Sequence, residues 1–135
     1  MRKTYDLTLD NNGTADFSLR LTLGGQIKLK KKHGGDPTMQ TLGEAVTDAE
    51  TAADVLTEAL AWAGNTNSLH SGADLYDLLV DNGYAGPADF AKLFISGIGV
   101  SSGILSQDMA DKIVAEIAGE MDKALADAET DAKNG

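Results

Sequence analysis

The sequence predicts a mostly helical α+β fold: an N-terminal β-hairpin followed by five to six helices, the last one long and amphipathic. Three observations lead there. Alternation of apolar and polar residues is concentrated in residues 5–23, the signature of strands with one buried face. From Asp36 onward, apolar residues fall three and four apart between capping residues. Finally, Met109, Ile113, Ile117, Met121 and Leu125 recur every fourth residue along an otherwise acidic stretch.

In "YDLTLDNNGTADFSLRLTL", Tyr5, Leu7 and Leu9 share one face, and Phe17, Leu19, Leu21 and Leu23 share another. "DNNGT" between them supplies a turn, with Gly13 available for positive φ. In the next segment, "QIKLKKKH", the alternation of Ile27 and Leu29 suits a third strand. The punctuation favours a short helix instead, because Gly34 follows a basic last turn as a helix-terminating residue should. Asp36-Pro37 then reads as an N-cap followed by proline in the first helical position of "DPTMQTLGEA", which carries Met39 and Leu42.

Thr47 with Glu50 reads as a capping box for a helix whose apolar face comprises Ala52, Val55, Leu56, Ala59 and Trp62, ending near Gly64. Ser71 with Asp74 caps a helix bearing Leu75, Leu78 and Leu79, closed by Asn82-Gly83. "GPADFAKLFISGIG" restarts at Pro87 with Phe90, Leu93, Phe94 and Ile98 on one side, and "SGIGVSSG" reads as a loop or loosely wound helix end. Ser106 caps the last helix, in which Val114 joins the stripe. The chain divides into a compact part, 1–103, and a C-terminal amphipathic helix, 104–135, with a frayed acidic end.

The composition narrows the function classes. At 135 residues with 42% hydrophobic content, the chain can bury a core; seven aromatic residues (one Trp, three Tyr, three Phe) leave that core to Leu, Ile, Val and Ala. No cysteine is present, so neither disulfides nor Cys-ligated zinc can form, and a cytoplasmic setting is expected. "MRKTYDLTLD" lacks the apolar run of a signal peptide, and no run of 18 apolar residues exists to span a membrane.

The net charge of −10 is unevenly spread. Residues 1–35 hold seven Lys/Arg and three Asp, a net of +4, and residues 36–135 hold four Lys and eighteen Asp/Glu, a net of −14. The excess of acid opposes general binding to nucleic acid. Four of the eleven basic residues crowd into Lys28–Lys32. Without interleaved aromatics they read as a helix C-terminal turn or an intramolecular partner for acidic helices rather than as a nucleic-acid patch.

No enzyme is legible. His33 and His70 sit at no zinc-ligand spacing, no G-x-S-x-G elbow exists, and "GIGVSSG" lacks the Gly-Lys-Ser/Thr ending of a phosphate loop. Paired acids such as Asp108 and Asp111 belong to a solvated helix face. No catalytic, metal or cofactor residue is therefore assigned. The candidate partner-binding residues are Met109, Ile113, Ile117 and Met121. The alternative for the same stripe is packing on the domain's own core.

"LTLGGQIKLKKKHGGDPTMQTL" resembles the opening of the tail assembly chaperones of long-tailed, non-contractile phages of Gram-positive bacteria. Leu29, Lys31, Lys32, Gly34 and Pro37 match the family's helix end and restart; Lys30 stands where that family often has Glu, and His33 where it often has Leu. "TAADVLTEALAWAG" and "LYDLLVDNGYAGPADFAKLFISGIGVSSGI" resemble its following helices, so the resemblance covers residues 16–104. It implies a non-catalytic protein that keeps the tape measure protein soluble in the cytoplasm of an infected or lysogenic host and is absent from the mature virion. It also implies a frameshifted longer form that recruits tail tube protein. Ala132-Lys133-Asn134 can be encoded GCA AAA AAC, which contains a slippery heptamer. The stripe could also serve a homo-oligomer. The competing function is a small acidic phage inhibitor that mimics DNA, motivated by the −14 of residues 36–135.

Overall fold

The computed structural model describes residues 3–10, 14–62, 69 and 71–134; for residues 10, 14–16, 121, 122, 125 and 127–134 it describes the course of the backbone only. Gly13, Gly64 and His70 lie outside the described residues. Strand β1, Tyr5–Asp10, pairs antiparallel with β2, Thr14–Leu19, with Leu7 opposite Phe17 and Tyr5 opposite Leu19. Six helices follow: α1 Leu23–Lys32, α2 Thr38–Ala45, α3 Ala49–Leu60, α4 Gly72–Asp81, α5 Gly86–Ala91 and α6 Gln107–Asn134. The chain continues directly out of α5 into a π-helical segment, Lys92–Gly99. The expected hairpin, helix series and long final helix are all present.

Two strands alone are marginal in water, so the hairpin depends on what covers its apolar face. Leu7, Leu9, Phe17 and Leu19 turn that face into the core. The polar face carries Asp6, whose Oδ1 accepts from Thr4 Oγ1 at 2.8 Å and Ser18 Oγ at 2.9 Å. The indole of Trp62 donates to Ser18 O at 2.8 Å, and Arg20 N donates to Ala59 O at 3.2 Å, tying β2 to the end of α3. Arg20 also reaches Lys3 O at 2.6 Å and Ser101 O at 3.3 Å, which holds the hairpin base against the end of the π-helical stretch.

The strand expected to run on to Leu23 stops at Leu19. Leu21 is buried in the connection, its N–H bonded to Ser102 Oγ at 2.8 Å, and Leu23 opens α1 at 73% exposure. The physical reason is the Thr22 cap, whose hydroxyl accepts from Gly25 N and starts a helix where alternation suggested strand. The third-strand alternative for "QIKLKKKH" fails for the same reason. At the other end of α1, Gly34 takes φ +70°, and Gly35 N donates back to Lys30 O at 2.6 Å, a Schellman closure that spares the last carbonyls. Gly83 closes α4 likewise, with φ +94° and Tyr84 N bonded to Leu79 O at 3.0 Å.

Two caps sit one residue later than expected. Pro37, extended at φ −57° and ψ 145°, is itself the cap of α2, so Asp36 lies outside it. Asp48 rather than Thr47 caps α3: its Oδ2 accepts from Thr51 N at 3.0 Å and Thr51 Oγ1 at 2.5 Å. Those two bonds, the hydroxyl's first and the amide's second, hold the Asp48 carboxyl below its ordinary value of 3.8. A depressed carboxylate contributes stability above its unfolded pKa, and that contribution disappears as pH falls through the folded value. Asp48→Ala is thus expected to lower the thermal midpoint at pH 7, with the deficit relative to the parent shrinking below pH 3.8. A thermal-melt series from pH 7 to pH 2 checks this, and a deficit constant across the series would refute it.

The core gathers around the π-helical segment. Leu93, Phe94, Ile95 and Ile98 are fully buried, as are Leu42, Val55, Leu56, Leu75 and Leu79 from α2, α3 and α4. Ile95 was not among the residues the α-helical spacing picked out. The wider π winding turns one more side chain inward than a 3.6-residue turn does. Gly97 lies under the Tyr5 ring: a Cβ there would stand 2.8–3.0 Å from three ring atoms, so the hairpin docks on bare backbone. Of "SGIGVSSG", expected as a loop or loosely wound helix end, residues 96–101 are helical, in π winding as far as Gly99 and buried at Gly97, Ile98 and Gly99, and Ser102-Gly103 form the turn that ends it.

Candidate partner-binding surface

Ser106 starts α6 by accepting from Met109 N at 3.2 Å. The helix packs on α5 and the π-helical segment. Ala110 is fully buried, and Ile113, Val114 and Ile117 are partly buried against the core. The inward line is thus Ala110, Ile113, Val114 and Ile117. Met109 stands about a quarter turn from it and is 52% exposed. The residues proposed from the fourfold spacing are accordingly not one free surface: Ile113 and Ile117 are both partly buried, Met109 is open, and the Met121 side chain lies outside the described residues. Ala110 was missed because alanine carries little weight in a hydrophobic stripe, although its small size is what lets α6 approach closely.

Beyond its first three turns α6 leaves a groove of 290 Å³ between itself, α2 and α5. Ile117, Glu120 and Ala124 form one wall, and Gly43, Val46, Thr47 and Pro87 form the other. A second depression of 210 Å³ shares Val46, Thr47 and Pro87 and extends to Tyr76 and Phe90, so the two adjoin. The lining of the first is largely apolar, with Glu120 at one edge, and that of the second is nearly half polar. The rings of Tyr76 and Phe90 stack at 5.3 Å with planes 7° apart, giving the far end a rigid floor.

The basic cluster resolves into two parts. Lys32 Nζ sits 2.6 Å from Asp54 Oδ1 on α3, and His33 Nε2 lies 3.2 Å from Asp54 Oδ2. The Asp54 hydrogen bond, then its charge, raises the Lys32 ammonium above its usual value. Lys28, Lys30 and Lys31 are exposed, with no ion pair among the described residues. Both structural readings of the cluster therefore apply, one to Lys32 and His33 and the other to the free lysines at the helix end.

A polar cleft of 240 Å³ lies between Tyr5, Asn82, Tyr84, Asp89 and Lys92. Burial first, and Tyr5 next, push the Tyr84 hydroxyl above its ordinary value. Asp89 Oδ2 is committed to Ala85 N at 3.0 Å. Among the described residues no three His, Cys, Asp or Glu side chains converge to hold a metal ion, and no helix is long and apolar enough to cross a membrane. Comparison with family models, characterised proteins and solved structures gives no match.

Proposed function

We propose that this chain is a non-catalytic binding protein that keeps an apolar helical partner in solution, acting as a tail assembly chaperone toward a tape measure protein. The observation that supports it most is the groove between α6, α2 and α5: its apolar walls, Val46 and Pro87 facing Ile117 and Ala124, suit side chains projecting every third or fourth residue from an amphipathic helix. The exposed acidic residues of α6 favour solubility while that groove is filled. On this reading the protein works in the cytoplasm of the phage's host and leaves before the virion is complete. A frameshifted longer form would recruit tail tube protein. No nucleic acid, membrane or cofactor has a part in it.

Co-expression with a fragment of the tape measure protein encoded beside the gene tests the proposal. The complex should co-purify and survive high salt, since apolar contacts resist screening. Ala124→Trp, an exposed position whose new ring would fill the groove, should abolish co-purification with the thermal midpoint unchanged; Ile117→Asp should do the same with a small loss of stability. Binding that persists in both variants would place the partner elsewhere. The second reading, an acidic inhibitor that mimics DNA, draws on the exposed carboxylates of Asp108, Asp111, Glu116 and Glu120 along α6. Its complex would fall apart steeply with salt and ignore Ala124→Trp.

A further inference from the structure

We propose that the helix taken up by the groove carries an arginine, and that the adjoining depression, floored by Tyr76 and Phe90, is the seat of its guanidinium. The inference rests on the reading of the groove as a helix seat and adds which helices that seat prefers. The groove of 290 Å³ and the depression of 210 Å³ share Val46, Thr47 and Pro87, so one occupant can span both. Their chemistry differs. Val46, Pro87, Ile117 and Ala124 give the groove walls that suit an aliphatic side chain. The depression joins two aromatic rings to a lining that is nearly half polar. A purely aliphatic side chain would fill the first and leave the polar part of the second without a partner.

The rings form a column that runs outward from the core. Phe94 lies 6.3 Å from Phe90 with planes 19° apart, and Phe90 lies 5.3 Å from Tyr76 with planes 7° apart. Phe94 is fully buried and Phe90 nearly so, whereas Tyr76 is only partly buried, so the column ends at Tyr76. Tyr84 leans on Phe90 at 6.0 Å and steadies the stack from the side. A flat cation extends such a column by lying against its last ring, and the apolar stem behind it packs on aliphatic walls. Arginine is the side chain that has both parts; the compact ammonium of lysine does not stack.

The surrounding charge favours the cation over a neutral ring. Among the described residues no Lys or Arg lines either depression. Glu120 lines the groove, and Glu44, Asp48, Asp77 and Glu116, each next in sequence to a lining residue, are exposed. None of these five carboxylates has an ion pair among the described residues. Lys123, beside Ala124, is the one cation placed next to a lining residue in the sequence. Asp48 stands between Thr47 and Ala49 of the depression, and the bonds from Thr51 to its Oδ2 keep its carboxyl below the ordinary value. An arginine arriving here meets acid on several sides. Rim charges of this kind decide between partners more than they add raw affinity, so the apolar groove still carries most of the binding.

Fluorescence anisotropy with the full chain and synthetic helical peptides tests this. The host peptide carries leucine at every third or fourth position and one probe residue about one or two turns beyond a leucine. The probe is arginine, citrulline, which has nearly the same shape without the charge, or phenylalanine. At one spacing, in ~0.15 M salt, the arginine peptide should bind roughly tenfold more tightly than the citrulline peptide. That preference should persist in Tyr76→Phe, which keeps the ring, and vanish in Tyr76→Leu, which removes it. Should Tyr76→Leu lose its helical circular dichroism, Ala49→Trp, at an exposed position lining the depression, serves as the blocking variant. Citrulline or phenylalanine peptides that bind as tightly as arginine at every spacing overturn the proposal. So does an arginine preference that survives in the folded blocking variant, or a parent chain that binds no peptide. Peptides bound without regard to arginine and expelled by Ala124→Trp overturn this inference and leave the capture of a helical partner standing. Arginine-selective binding without capture of the tape measure fragment leaves this inference standing and removes that partner.

Discussion

Replacing Gly72 by alanine is expected to be among the most damaging single-methyl changes in the protein. Gly72 begins α4 where it crosses α3, and its N–H donates to Thr57 Oγ1 at 2.9 Å. That hydroxyl in turn donates to Ala53 O at 2.8 Å. The chain of bonds occupies one of the N–H groups that a helix start leaves unpaired. It also requires backbone against backbone. A Cβ on Gly72 would overlap the carbonyl oxygen of Ala53 outright and stand 2.5 Å from both Thr57 N and Thr57 Oγ1. A flexible side chain could move aside, but helical backbone cannot, so α4 must lift off α3 and expose Leu75 and Leu79. Overpacking usually costs about 1–3 kcal/mol. A clash with backbone belongs at or above the top of that range, roughly a 10 °C loss in thermal midpoint for a domain of this size. Gly119→Ala supplies the opposite sign: its Cβ would meet nothing within 4 Å, and alanine in an exposed helix interior is favoured by about 0.5–1 kcal/mol. Thermal melts of the two variants side by side check both, and a Gly72→Ala protein as stable as its parent would mean that the α3–α4 crossing is looser than drawn.

Gly72 also shows what a sequence withholds. The capping role of Ser71 was legible, because a hydroxyl before a helix has a local job; the glycine beside it answers to a helix 15 residues earlier, and no local pattern reveals that. Strand pairing was legible for the same local reason, since alternation and a turn lie together in sequence. The end of β2 was misplaced at Leu23 because alternation continued past the point where the Thr22 cap redirects the backbone. On α6, fourfold spacing identified an amphipathic helix and three of its four inward residues, Ile113, Val114 and Ile117, but it included Met109, a quarter turn from that line, and passed over Ala110. A period of four drifts around a helix that turns every 3.6 residues, so Met109 reaches solvent while Ala110 reaches the core. The groove beside Ile117 needs α2, α5 and α6 to converge, and that information lies in tertiary packing. The exposed side of α1 was half legible: its lysines were plain, but the openness of Leu23 and Ile27 depended on knowing which way the helix faces.

Phe94→Ala is the second large effect expected, and it probes why the π-helical segment is ordered at all. A π winding is rare and gains little from its own hydrogen bonds, so burial must hold it. Phe94 is fully buried midway along it, with its ring 6.3 Å from that of Phe90, which stacks on Tyr76 in turn. Removing the ring leaves a cavity beside Phe90, and a segment held in the core by Leu93, Ile95 and Ile98 cannot close it without rewinding. The loss should be about 3–5 kcal/mol, a large part of the 5–15 kcal/mol that a domain of this kind retains. Two outcomes are then distinguishable by denaturant melts combined with circular dichroism. If the segment keeps its winding, the variant loses stability with its helical signal intact. If the winding depends on the ring, the segment relaxes toward α geometry, Ile95 rotates away from the core, and the loss falls below that range because the cavity collapses. In either case the hairpin should suffer too, since the Tyr5 ring rests on Gly97 of the same segment. A Phe94→Ala protein within about 1 kcal/mol of its parent would show that the core is organised around some other element.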